Sequence, residues 1–155
     1  STFFKEKIDD LSPESEEPTA FEAFVSSPSP ISSNNVIRYN VEVFDMGEDF
    51  NPSSYYFAAP EDGVYQFNVQ LTILLPDSQE KSISLFLDEE ETGSLDGIVV
   101  GRSRIFGVTG RTISISLSKT LQLEEGDRVY ARFNGTSSTV DPGRADSFFS
   151  GHQVK

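Results

Sequence analysis

Ser150 and His152 stand two apart in "FSGH", the spacing that puts a hydroxyl and an imidazole on one face of an extended strand. A serine beside a base is the start of a nucleophilic site, but such a site needs a third orienting group and an oxyanion pocket. No Gly-x-Ser-x-Gly elbow, His-Glu-x-x-His, phosphate loop or dinucleotide fingerprint accompanies the pair, and His152 is the sole histidine. No catalytic residue is assigned, and His152 reads as a structural strand residue.

Carboxylates are the more active signal. In "LDEEETGSLDG", residues 87–97, Asp88, Glu90 and Gly93 occupy the first, third and sixth positions of a helix-loop-helix calcium loop. The twelfth position is Val99 rather than Glu, and no helical pattern flanks the segment. It reads as a charged hairpin tip, with Asp88, Glu89, Glu90 and Glu91 as the candidates for touching a ligand. Asp141 and Asp146 lie in a second loop, "GTSSTVDPGRADS"; taken alone, Asp141-Pro142-Gly143 is a turn and Asp146 caps a strand end. Asn134-Gly135-Thr136 is the one glycosylation sequon, because proline blocks Asn51-Pro52-Ser53, so Asn134 is the candidate acceptor.

The whole chain sets bounds on these sites. Twelve basic residues against twenty-five acidic give a net charge of −13, a field that repels nucleic acid and anionic membranes and leaves cations, basic partners and neutral ligands. No apolar run approaches the roughly 20 residues of a membrane span, so no membrane insertion is expected. Cysteine is absent, which removes disulfides and thiolate metal sites. A chain of 155 residues is enough for one domain, burying roughly 70% of its unfolded surface.

Residues 1–19, with six acids, two lysines and two prolines, read as a flexible acidic leader; Phe3, Phe4, Lys7, Ile8 and Leu11 also fit the spacing of a short amphipathic helix. Residues 20–155 read as a single globular domain. Alternating apolar and polar runs at 20–25, 36–44, 55–59, 64–75, 82–87, 97–105, 112–123, 128–134 and 147–154 are split by Gly, Pro, Asn, Asp and Ser. That pattern predicts an all-β fold, an antiparallel two-sheet jelly-roll sandwich of about ten strands. Tyr65, Phe67, Val69, Leu71 and Ile73 alternate with Gln66, Asn68, Gln70 and Thr72, so the rings around the turn at 60–63 face a core rather than a ligand.

The spacing of Tyr39, Asp45, Phe50, Phe57, Gly63, Tyr65 and Phe67 resembles the signature of the complement C1q globular-head family, part of the C1q and tumour-necrosis-factor superfamily. "AFEA" at 20–23, "FDMGEDFN" at 44–51, "FAAPEDGVYQF" at 57–67, "LEEGDRVYARF" at 123–133 and "FFSG" at 148–151 follow in the family's order. Tyr39 departs from the usual Phe, and Val69 from the usual aromatic, while no Gly-X-Y repeat precedes the head.

The resemblance implies a homotrimer of heads about a threefold axis. Tyr39, Phe50, Tyr55, Tyr56, Phe57, Tyr65, Phe67 and Phe149 would then pack in the core or the intersubunit seam, with one of Tyr55 and Tyr56 buried at the seam. It implies that the loop of Asp141 and Asp146 looks toward the apex and helps bind calcium, Asp146 matching the family's acidic residue before Phe-Ser-Gly. The expected function is a non-enzymatic, secreted, extracellular recognition head binding a protein or carbohydrate ligand multivalently, innate-immune or lectin-like. The alternatives are a matrix trimerisation module and a signalling ligand of the tumour-necrosis-factor kind.

Overall fold

A computed structural model describes residues 18–89 and 93–155. The acidic leader, apart from Pro18 and Thr19, and its alternative helix lie outside the described residues. Twelve strands occur among the described residues: β1 (Ala20–Phe24), β2 (Ser29–Ile31), β3 (Val41–Met46), β4 (Phe50–Asn51), β5 (Tyr56–Ala58), β6 (Gly63–Leu74), β7 (Lys81–Asp88), β8 (Ile98–Ile105), β9 (Thr112–Leu123), β10 (Arg128–Asn134), β11 (Ser138–Val140) and β12 (Phe148–Val154). They form a jelly roll of two antiparallel sheets. The larger runs β2-β11-β6-β12-β1-β3, with β9 on the other side of β6; the smaller runs β4-β5-β10-β7-β8.

The count exceeds the expected ten because β2, β4 and β11 are two or three residues long, too short to show a period. The expected run at 36–44 is divided. Val36 makes a lone bridge to Arg132, and strand pairing resumes at Val41. Between them Tyr39 drops into the core, where its hydroxyl donates to the Gln70 carbonyl at 2.8 Å.

Alternation sets the sandwich filling. Along β6, Tyr65, Phe67, Val69, Leu71 and Ile73 are buried, while Gln66, Asn68 and Gln70 remain half-exposed on the opposite face. The centre is aromatic: Phe21 stacks on Phe50 with centroids 4.8 Å apart and meets Phe149 edge-on at 5.0 Å. Phe57 and Phe67 close the cluster at 5.5 Å. Gly151 makes that density feasible, because a Cβ there would stand 2.6 Å from Phe67 and 2.8 Å from Phe21.

Candidate functional site

Among the described residues, segment 93–97, which returns from the acidic tip, is tied to the smaller sheet. Arg128 donates from Nη2 to Asp88 Oδ2 at 2.8 Å and from Nη1 to the Gly93 carbonyl at 3.1 Å. Asp96 N–H bonds the same Asp88 oxygen at 2.9 Å, and Gly97 N–H bonds the Tyr130 hydroxyl at 2.9 Å. Arg132 lies over the rings of Phe86 and Tyr130, 5.4 Å from each centroid, and donates to the Leu95 and Asn34 carbonyls. Asp88, expected among the ligand contacts, is therefore corrected. It is 1% exposed, because a buried guanidinium on the neighbouring strand requires a buried counter-charge. Glu89 is exposed, and Glu90 and Glu91 lie outside the described residues.

The loop before β12 holds Asp146 exposed and Asp141 half-buried. Its backbone is pinned by Thr72, whose Oγ1 donates to the Asp146 carbonyl at 2.6 Å, and by Ser147, whose Oγ donates to the Asp141 carbonyl at 2.6 Å. Arg144 forks onto Glu22 at 2.9 and 3.1 Å. Among the described residues of one chain, no three His, Asp or Glu side chains converge to hold a metal.

The aromatic set divides by position. Tyr39, Phe50, Phe57, Tyr65, Phe67 and Phe149 lie in the core. Tyr55 and Tyr56 are half-buried on the β4–β5 margin, with Tyr55 in the left-handed region at φ 69° and Tyr56 under the Arg128 guanidinium at 5.3 Å. Ser150 and His152 lie on the outward face of the larger sheet, and Asn134 is exposed at the end of β10.

Three surface features are not evident from motifs. The first is the outward face of β6, β9 and β12, on which no side chain carries a formal charge. There Gln66–Thr120, Asn68–Ser118, Gln70–Ser116 and Thr72–Ser114 form four hydrogen-bonded cross-strand pairs.

The second is a cleft of about 750 Å³ lined by Glu42, Asp45, Glu48 and Asp49 beside Phe44 and Tyr56. Glu42 is pushed up to about 7, chiefly because the neighbouring Asp45 carboxylate shares its proton, then by burial and the charges of Asp45 and Glu48. Asp49 is pushed up to about 6, first by burial and then by Asp45 and Glu48.

The third is a polar cleft of about 610 Å³ at one end of the smaller sheet, lined by Gln79, Ser82, Arg102, Arg104, Asn134 and Thr136 among others. Strand register builds it. Ser82 on β7 lies between Asn134 of β10 and Arg104 of β8, and Ser84 lies between Arg132 and Arg102. Buried Lys81 and Thr136 hold Asp77 at its rim, with Nζ–Oδ1 2.5 Å and Oγ1–Oδ2 2.7 Å. These bonds and the Gln79 N–H pull that carboxyl down to about 2.

The C1q domain family matches residues 20–154. No curated protein matches the sequence. Among solved structures, the Eiger TNF of S. frugiperda superposes with a TM-score of 0.72 at 13% identity, over 90% of this chain and 94% of that one. The globular domain of zebrafish complement 1qA gives 0.68 at 16% identity, over 88% and 98%, and murine APRIL at pH 5.0 gives 0.69 at 9%, over 89% and 100%. At these identities the structures speak for the fold alone, and it is the match across residues 20–154, joined to the jelly roll and its aromatic centre, that places the chain in the C1q domain family.

Proposed function

We propose that the chain is a non-catalytic, secreted recognition head that assembles as a homotrimer through the outward face of β6, β9 and β12. The observation that carries this reading is the absence of charge on that face in a chain of net charge −13. Three such protomers repel each other everywhere carboxylates are exposed, and they approach at least cost where none are. Burial there is cheap because the amides and hydroxyls already bond one another across β6 and β9. Phe148 and Phe24, paired across β12 and β1, supply apolar area beside the ladder. C1q and tumour-necrosis-factor domains are in general non-enzymatic binding domains, which supports recognition as the role of the remaining surface.

Calcium belongs to the same proposal: three copies of the Asp141–Asp146 loop brought around an axis supply the several oxygens that this ion prefers. Sedimentation of the 17.1 kDa chain with and without a chelator tests both parts. The expected result is a trimer whose melting temperature falls on chelation. A monomer in both conditions overturns the trimer, and a trimer indifferent to chelation overturns the ion.

A further inference from the structure

The polar cleft of the smaller sheet has the construction of a binding site. Ser82 at its floor is 6% exposed as a residue, and its hydroxyl opens to the cleft with no hydrogen-bond partner among the described residues. An unpaired hydroxyl at the floor of a cleft is a donor and acceptor open to a ligand or to water. Beside it, Arg102 donates from Nε to Ser84 Oγ at 2.9 Å, which aims the side chain along the sheet and leaves its terminal nitrogens without a carboxylate among the described residues. Arg104, two residues along the same face, is held only by Glu80 at 3.0 Å. Both of those side chains are well exposed, at 60% and 42%, and such a pair is easily exchanged. Of the two carboxylates that line the cleft, Asp77 already accepts from Lys81, Thr136 and the Gln79 N–H, and Glu80 faces Arg104.

The lining also says what kind of molecule suits it. Every lining side chain is polar or absent, with hydroxyls from Ser33, Ser82 and Thr136 and amides from Gln79 and Asn134. A peptide would find no apolar side chain among the lining residues, whereas the hydroxyls of a saccharide suit its amides and hydroxyls. The net charge of −13 argues against anions at long range, but at physiological ionic strength fields fade over roughly 8 Å, and within that distance Lys81 takes up Asp77 and Arg104 takes up Glu80, which leaves the Arg102 terminal nitrogens to face an anion. We infer that this cleft binds a saccharide segment bearing an anionic group, with Arg102 and Arg104 gripping the carboxylate or sulfate and Ser82, Gln79 and Asn134 the ring hydroxyls. The inference deepens the recognition-head reading by giving it a ligand class and a place.

The test is titration calorimetry on the full chain, made in a bacterial host so that Asn134 is unmodified. Four probes are used: a sulfated heparin-type oligosaccharide, an oligogalacturonate, a neutral dextran oligosaccharide and polyphosphate of matched charge. One or both anionic saccharides bind saturably, and which of them binds names the anionic group. Neutral dextran does not bind, and polyphosphate binds at least about tenfold more weakly. The double variant Arg102→Gln/Arg104→Gln loses about tenfold or more in affinity with an unchanged melting temperature, and Ser82→Ala loses less. Silence toward both anionic saccharides, equal binding of polyphosphate or dextran, or an unaffected double variant overturns the inference. Sedimentation of the same samples separates it from the assembly proposal. A trimer that ignores every probe defeats the cleft alone, and a monomer that binds defeats the trimer alone.

Discussion

Glu42 and Asp49 keep protons that carboxyls ordinarily surrender near pH 4 to 4.5, because Asp45, Glu48 and the cleft wall make a second and third charge costly. A carboxyl that binds its proton more tightly in the fold than in the unfolded chain stabilises the fold fully below about pH 4, and the contribution is lost as pH rises through 6 to 7. Asp77 acts in the opposite sense: its contribution is present above about pH 4 and lost as pH falls through 2. The melting temperature is therefore expected to peak near pH 4 and to decline from there to about pH 7. In Glu42→Gln/Asp49→Asn the decline flattens. A slope unchanged in that variant would place the titrating groups elsewhere.

The arginines of β10 work at the scale of elements, since Arg128 and Arg132 fasten the returning 93–97 segment onto the smaller sheet. Arg132→Ala removes two carbonyl contacts and the cover over Phe86 and Tyr130, and is expected to cost about 1–2 kcal/mol. Amide exchange should quicken at Asp96 and Gly97 before it does in β7 or β10. How far these features could be read without coordinates differs with their range. The long strands were legible because their alternation runs over many residues, as in Ile113, Ile115 and Leu117 against Ser114, Ser116 and Ser118 of β9. The polar cleft was half legible: Arg102 and Arg104 show their common face by spacing, but only cross-strand register brings Ser82 between Arg104 and Asn134. Asp88 misled for the same reason. Its acidic neighbours are local, while its partner Arg128 is forty residues away.

At the scale of the whole molecule, charge gives the proposed assembly and the proposed ligand binding opposite responses to salt. Raising NaCl from 0.15 to 0.5 M screens repulsion between protomers and should tighten the proposed trimer, while weakening the proposed binding of an anionic sugar at Arg102 and Arg104. Parallel sedimentation and calorimetry check this, and a common direction in both would show that one of the two surfaces is misplaced. The polar ladder and the cleft lie on different sheets, so neither event obstructs the other. Strand pairing carries one more consequence. Ala20 lies beside His152, and Val154 beside Val64 at the start of β6, so the head begins and finishes at one pole. β6 then crosses twelve residues, roughly 40 Å, to the opposite pole, where Asp77 meets Thr136 at the rim of the cleft. Anything tethered to either terminus of the head leaves from the base, and three heads on one stem would hold their clefts outward, like cups on a single stand.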